Sequence, residues 1–528
     1  MRRVRFAPVV AGLALAGCMV GPDYVPPPVL APEKFKELKG NLVKGWKLAA
    51  PRDSVDAGPW WAVYNDRTLD ELEAQVQISN QTVTAAIEAY EQARTLVREA
   101  EAALFPTITA SYSTTRQYSG AALVNTGSTS SSGSSTPTAL STSSLSATHG
   151  QVTAIYTTQG SLTWEVDIWG KIRRQIESNA AGVQVSAADL DNVKLTAQAA
   201  LATAYFNLRA GYSLKDLLEK TAAEYRKTLD ITRNQYRAGT AAEADVVTAE
   251  TQLLSTQAQA INTGVAIAQM EHAIAILIGK PPADFSLPPM RLTGYIPAFP
   301  VEVPTTLLER RPDIAAAERT MQQENALIGV ALAAYYPDIT LTADLGYTGH
   351  IPLPINPAHE FWSLAAMATQ TVFEGGLRSA QVDSATASYR QSVANYRQTV
   401  LTAFQQVEDQ LAAIRVQRRQ LQVQEKAVAE ARKSVTFYLN QYRAGVVAFT
   451  SVVVAEAALL SAEQSALTTR QNLFVASVAL IEALGGGWDR SRLPTADEAT
   501  PRISILPKIP PGAPPPLVVE EEKCCVTQ

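Results

Sequence analysis

Apolar and polar positions along this chain follow two periods, helical and strand-like, that alternate in a fixed order. A helical pattern runs from about Leu69 to Leu104 and is closed by Phe105-Pro106. The period then drops to two: Ile108, Ala110 and Tyr112 alternate with Thr107, Thr109, Ser111 and Ser113. Residues 118–150, rich in Ser, Thr and Gly, predict a long exposed loop. Alternation returns where Leu162, Trp164, Val166 and Ile168 stand against Ser161, Thr163, Glu165 and Asp167. This is a strand hairpin with one apolar and one polar face. The helical period resumes at Lys171 and continues to Tyr236, ~66 residues that would extend ~100 Å at ~1.5 Å each.

The second half repeats the plan. Arg310-Arg311-Pro312-Asp313 opens a helix, with Pro where its missing N–H does little harm. Tyr336-Pro337 mirrors Phe105-Pro106. Ile339, Leu341, Ala343, Leu345 and Tyr347 then alternate with Asp338, Thr340, Thr342, Asp344 and Gly346, and a weaker strand is expected near Trp362 to Phe373. In the long helix that follows, Val393, Val400, Val407, Ile414, Leu421, Val428, Val435 and Tyr442 fall on every seventh position. A strict seven-residue repeat implies a left-handed supercoil against neighbours. Gln410, Gln417 and Gln424 make the accompanying positions polar, so a simple two-stranded zipper is excluded.

The repetition is literal at one place. Asn234 to Ser255 reads NQYRAGTAAEADVVTAETQLLS and Asn440 to Ser461 reads NQYRAGVVAFTSVVVAEAALLS, identical at 14 of 22 positions with an offset of 206. Each copy reads as the tip of a long helical hairpin, with Gly239 and Gly445 at helix C′ positions. The chain has 30 Pro, yet none lies between Pro137 and Pro281 or between Pro357 and Pro494, as uninterrupted helices require. The chain reads as an internal duplication with two equivalent tips.

The N-terminus changes the address of the chain. Arg2, Arg3 and Arg5 precede an apolar stretch, Val9 to Ala16, that ends in Leu15-Ala16-Gly17-Cys18. This resembles a bacterial lipoprotein signal, which implies removal of residues 1–17 and lipidation of Cys18; Met19, where inner-membrane retention would call for Asp, implies the outer membrane. A lipid is an anchor and not a span. Residues 18–60, with many Pro, are expected to form an extended tether. Losing residues 1–17 removes three Arg and no acid, leaving 42 basic against 50 acidic residues, net −8, so nothing points to nucleic acid. No run of 18 apolar residues follows, which argues against a transmembrane helix. Cys524 and Cys525 are adjacent and build no disulfide framework.

Four strands of membrane type cannot close alone, and open edges are not tolerated in lipid. Two chains would supply eight strands and three would supply 12; three suits a channel better. With the lipoprotein signal, the paired strand hairpins, Glu309-Arg310-Arg311-Pro312-Asp313-Ile314 and the twin Tyr-Arg-Ala-Gly tips, residues 18–488 resemble the outer-membrane factor (TolC-like) efflux channels. More narrowly, they resemble the lipoprotein branch serving resistance-nodulation-division pumps. The resemblance implies a mainly α fold with membrane β: a homotrimeric 12-stranded β-barrel, four strands per chain, continuing into a long periplasmic α-helical barrel. It implies an exit duct in the outer membrane, fed by an inner-membrane pump through a periplasmic adaptor protein. The expected divisions are 1–17 signal, 18–60 tether, 61–300 first repeat, 301–488 second repeat and 489–528 a Pro-rich tail outside the family pattern.

The same resemblance assigns sites. Adaptor docking falls on Tyr236, Arg237, Ala238, Gly239 and Thr240 at one tip, and on Tyr442, Arg443, Ala444, Gly445 and Val446 at the other. The gate falls on Asp245, expected to tie across to Tyr442, and on Thr450 and Val454, which stand where the family carries carboxylates. Val447 replaces an Arg sometimes found there, so part of a polar latch is missing; Phe449, Val452, Val453 and Val454 suggest an apolar constriction instead. No catalytic constellation, phosphate loop or metal-ligand spacing is found: His149, His272, His350 and His359 match no metal pattern, and neither an enzyme nor a cofactor is expected. The competing class is a non-channel coiled-coil lipoprotein that scaffolds the envelope, which would not need the strand alternation.

Overall fold

The computed structural model describes residues 19–28, 32, 35–38, 59–119, 123–124, 146–147, 151–293, 310–353 and 355–499; the expectations placed on residues 1–17, Cys18, Cys524 and Cys525 lie outside the described residues. Two short helices, α1 (Arg67–Ser79) and α2 (Gln81–Ala102), lead into β1 (Thr107–Ser119), the two-residue strands β2 (Leu123–Val124) and β3 (Ser146–Ala147), and β4 (Gln151–Glu165). The first hairpin follows as α3 (Lys171–Arg237) and α4 (Glu243–Leu277). The second half gives α5 (Pro312–Ala333), β5 (Asp338–Gly349), β6 (Glu360–Thr369), α6 (Leu377–Arg443), α7 (Phe449–Ala483) and the short α8 (Ala496–Ala499). The hairpins match in length: α3 and α6 have 67 residues each, α4 and α7 have 35.

Several elements differ from the pattern. The helix expected over Leu69 to Leu104 is broken at Asn80, whose backbone is extended. Asn80 caps α2 by accepting from the N–H of Thr82 (2.9 Å) and Val83 (3.1 Å), while its Nδ2 donates to the Leu277 carbonyl at 2.7 Å. One side chain thus starts α2 and satisfies the last turn of α4, whose carbonyls have no donors within their own helix. Strand β1 runs past Ser113 to Ser119, because pairing with β4 satisfies its backbone whatever its Ser and Thr content. Strand β6 starts at Glu360 and stops at Thr369. Helix α4 is long and apolar enough to cross a membrane by length and composition. It packs along α3, however, and carries Glu243, Asp245, Glu250 and Glu271.

The sheet has the order β1-β4-β5-β6, antiparallel throughout. Its register puts unlike rows on opposite faces. Ile108, Leu162, Ala343 and Leu364 lie in one row, and the neighbouring row is Thr109, Ser161, Asp344 and Ser363. Tyr112, Trp164, Leu341, Leu345 and Trp362 share the first face; Gln159, Thr163, Thr342 and Thr348 share the second, which Ile155, Phe361 and Met367 interrupt. All four connections to helices leave from one end of the sheet, and the β1–β4 and β5–β6 connections turn back at the other.

At the helix end, residues 19–28 are not a free tether. Arg174, 1% exposed, donates to the carbonyls of Val20 and Gly21 (3.1 Å each) and pairs with Asp23 (3.1 Å) and Glu177 (2.7 Å). The Val20 N–H meets the Trp169 carbonyl at 3.1 Å, and Trp169 stacks on Tyr336 with ring centroids 4.7 Å apart. Gly21 has φ 109°, and a Cβ there would fall 2.5 Å from the Gly329 backbone, so only Gly lets the strap lie this close.

The main core gathers the middle of the helices: Trp60, Trp61, Leu69, Val76, Leu201, Phe206, Ile274, Met321, Val400, Val407, Leu473 and Leu480 are buried together. Phe206 sits between Tyr64 (4.9 Å) and Phe474 (4.8 Å). Every seventh-position residue of α6 from Val393 to Tyr442 is buried or half-buried. Phe35 reaches Phe404, and Glu37 pairs with Arg415, so residues 35–38 lie against α6.

Glu73 of α1 is fully buried among these residues, and neither carboxyl oxygen has a hydrogen-bond partner among the described residues. Burial, then the neighbouring Asp70, pushes its carboxyl up to about 9. The folded protein therefore holds this proton where an unfolded chain, ionising near about 4.5, would release it. Stability falls as pH rises across that interval. Glu73→Gln is expected to match wild type near pH 5 and to melt above it near pH 9 in detergent. Parallel melting curves at both pH values would show that Glu73 does not titrate with folding.

Candidate gate and hairpin tips

Both tips are built by the same six-residue code. At the end of α3 the Gly239 N–H bonds the Tyr236 carbonyl (2.9 Å) and the Thr240 N–H bonds the Gln235 carbonyl (2.8 Å). At the end of α6 the Gly445 N–H bonds the Tyr442 carbonyl (2.9 Å) and the Val446 N–H bonds that of Gln441 (2.9 Å). These are paired Schellman bonds, which need a left-handed residue at C′; Gly239 and Gly445 supply φ 75° and 73°. Nothing lies within 4 Å of a Cβ at either, so both tips are open to approach. Arg237, Ala238, Gly239 and Thr240 are exposed, as are Arg443, Ala444, Gly445 and Val446.

The two tip tyrosines part company. Tyr236 is 45% exposed, whereas Tyr442 is 7% exposed and tilts against Phe449, centroids 5.2 Å apart. Position 243, equivalent to 449, is Glu, so Tyr236 has no aromatic shelf. Tyr442 instead joins Tyr225, Leu229, Leu253, Phe449 and Val452 in a second core between the hairpins.

Asp245 is half-buried in the first turn of α4, where a carboxylate suits the helix dipole. It lies near enough to Tyr442 to act on it: burial chiefly raises the phenol pKa, Thr232 lowers it, and the Asp245 charge raises it again. Among the described residues, the buried Tyr442 hydroxyl makes no hydrogen bond to Asp245; Thr232 is the side chain beside it. The pair is thus brought together within one chain, but not bonded. On α7, Thr450 and Val454 are exposed and Val453 is half-buried; four residues apart, Thr450 and Val454 share one uncharged face. Phe449 and Val452 are buried in the hairpin core, so they support the tip and are not free to line an opening.

Sequence reasoning passed over Glu456. It is buried on α7 and accepts a 2.9 Å bond from the Thr228 hydroxyl of α3, joining one hairpin to the other. A signal was available in the repeat, since Glu250 and Glu456 are equivalent, while Arg233 has become Leu439. The polar sheet face is also knit together: Gln159 Nε2 donates to Ser161 (2.6 Å) and Asp344 (3.2 Å), and Ser363 donates to Asp344 (2.9 Å).

A family model described as outer membrane efflux protein matches residues 72–280 and 303–486. Nodulation protein T of Rhizobium leguminosarum bv. trifolii is 30% identical over 402 residues, 74% of this chain and 78% of its own. The toluene efflux pump outer membrane protein TtgF of Pseudomonas putida is 29% identical over 493 residues, 92% of this chain and 98% of its own. Among solved structures, the outer-membrane channel OprN superposes with a TM-score of 0.77 at 27% identity, covering 89% of this chain and all of that one.

Proposed function

The chain belongs to the outer membrane efflux protein family, and from that premise we propose that it is the passive exit duct of a tripartite efflux system, receiving substrate from an inner-membrane pump through a periplasmic adaptor. The family is one of channels and not of enzymes. The observation that carries the proposal is the four-stranded sheet. One face is apolar, the other polar, both edges are free among the described residues, and it continues directly into two helical hairpins of ~100 Å.

Three chains would close that sheet into 12 strands, apolar face to lipid and polar face to a lumen. The helices carry matching support. Val247, Leu254 and Ile261 on α4 are exposed at seven-residue spacing, as are Val416 and Val423 on α6, with Phe437 two heptads further on. Such stripes suit lateral contact with another copy, and an α-barrel below the sheet would cover them. The same closure accounts for the apolar exposure of α4 without placing it in lipid. In this assembly the divisions at residues 17, 60, 300 and 488 separate signal, tether, two repeats and tail.

The exposed Schellman tips are the adaptor-docking sites, and Asp245, Tyr442, Thr450, Val453 and Val454 surround the gate. Cys18 carries the lipid; the clamp on residues 19–23 would hold that anchor beside the sheet–helix junction. The scaffold reading loses ground because a scaffold has no use for a two-faced sheet.

Mass measurement in mild detergent is expected to give three chains, and planar bilayers to show ohmic pores. A single chain without conductance would remove the duct. Palmitate labelling should be lost in Cys18→Ala, with assembly retained; label that persists would place the lipid elsewhere. Asp245→Ala is expected to raise resting conductance several-fold and to admit large antibiotics. Unchanged conductance and entry would mean that Asp245 does not hold the gate.

A further inference from the structure

The two hairpins treat the same glutamate position in different ways. In the first, Glu250 pairs with Arg233 of its own hairpin at 3.2 Å, both half in water. In the second, the equivalent of Arg233 is Leu439, which packs in the tip core, so Glu456 has lost that cation. It turns inward, 7% exposed, to Thr228 of the other hairpin, and Thr232 donates in turn to the Thr228 carbonyl at 3.0 Å. The neighbouring Tyr225 and Tyr442 hydroxyls are buried as well, beside Gln252 and Thr232.

Glu456 lies 11 residues past Gly445, ~10 Å into α7 from its start at Phe449 and directly behind Val452 and Phe449. Among the described residues, the groups around it offer no free positive charge. From α3 come Glu224, paired with Lys227 at 2.9 Å, and Tyr225; α4 contributes uncharged Gln252 beside Tyr225 and Glu250, already tied to Arg233. Glu463, farther along α7, is held by Arg432 of α6. An ionised Glu456 would sit desolvated and facing like charge, whereas a protonated one fits the pocket and keeps its bond to Thr228.

Resting on the duct reading above, we propose that Glu456 is a proton-operated latch between the two hairpins of one chain: protonated, it holds the tip end closed; ionised, it lets the hairpins part. Burial, offset in part by the Thr228 bond and reinforced by Glu224, pushes its carboxyl up to about 7, inside the range an exposed compartment traverses. The sign follows. A parted state that hydrates Glu456 returns it toward about 4.5, so the closed state binds the proton more tightly and is favoured as pH falls through about 7. Its advantage saturates below about 4.5, reaching roughly 300-fold per chain. The switch is set by one substitution within the repeat, Arg to Leu at 439, and needs no ligand.

The test uses the full-length protein in planar bilayers at pH 5.5 and 8, with amide exchange of residues 449–460 followed in parallel and corrected for intrinsic rate. Wild type is expected to show several-fold higher open probability, and lower protection, at pH 8. Glu456→Gln keeps size and the acceptor for Thr228 without charge, and is expected to be closed and protected at both pH values. Leu439→Arg restores the cation of the first hairpin and is expected to move the transition to lower pH. A wild-type channel whose opening and protection do not change with pH overturns the latch, as does an unchanged pH response in Glu456→Gln. Protection that follows pH in wild type but not in Glu456→Gln, with no current at any pH, supports the latch while removing the duct.

Discussion

Each half of the chain depends on one buried donor that closes its hairpin at the base. Asn80 Nδ2 bonds the carbonyl of Leu277, and Arg311 Nη1 bonds that of Ala483 at 2.9 Å; the two acceptors are equivalent positions, 206 residues apart. Gly279 and Gly485 complete the joint, each with a positive φ and each so close that a Cβ would meet the carbonyl of Ser79 or Arg310. A helix of 35 residues ends in carbonyls with no partner of its own, and burying them unpaired would cost about 1–3 kcal/mol each. The caps remove that cost and tie each outgoing helix to the start of α2 or α5. Arg311 also reaches Gln406 (2.9 Å) and Asp313, so α5, α6 and α7 share one corner.

From the corners outward, the sheet poses a problem that the chain does not solve alone. Its apolar face carries Trp and Leu into solvent, its polar face is internally hydrogen-bonded, and both edges are free among the described residues. Lipid tolerates the first and forbids the last. Membership in the outer membrane efflux family supplies the setting in which both make sense, and the proposed trimer is the closure. The exposed seven-residue stripes on α4 and α6 pose the same demand in the helical part.

Within this frame, a repeat identical at 14 of 22 tip positions has been put to unequal use. The tips are equal in backbone, but Tyr236 faces solvent while Tyr442 fills a core, because Phe449 replaces Glu243. Glu250 is a surface ion-pair partner while its twin is buried, because Leu439 replaces Arg233. Two substitutions therefore convert one copy of a tip into the place where the hairpins touch. The polar latch expected from resemblance is reduced to proximity between Asp245 and Tyr442, and the hydrogen bonds that do join the hairpins, Thr228 to Glu456 and Gln471 to Asn207, lie further in.

Periodicity alone determined much of this protein: the two strand hairpins, the long helices to within a residue at Lys171 and Arg237, and the tips with their left-handed glycines. Such features depend on local backbone preference and on which face must be dry, and both are written in consecutive residues. The break at Asn80, the docking of residues 19–28 by Arg174, and the burial of Phe449 and Val452 were decided only in three dimensions. Each depends on what a distant segment presents: a helix end needing a donor, a glycine leaving room for a strap, a second hairpin offering a hydrophobic wall. Glu456 shows the same division, since the loss of its cation is legible in the repeat. That the freed carboxyl turns to Thr228 is not legible there, because residues 228 apart in sequence meet only when both hairpins are packed.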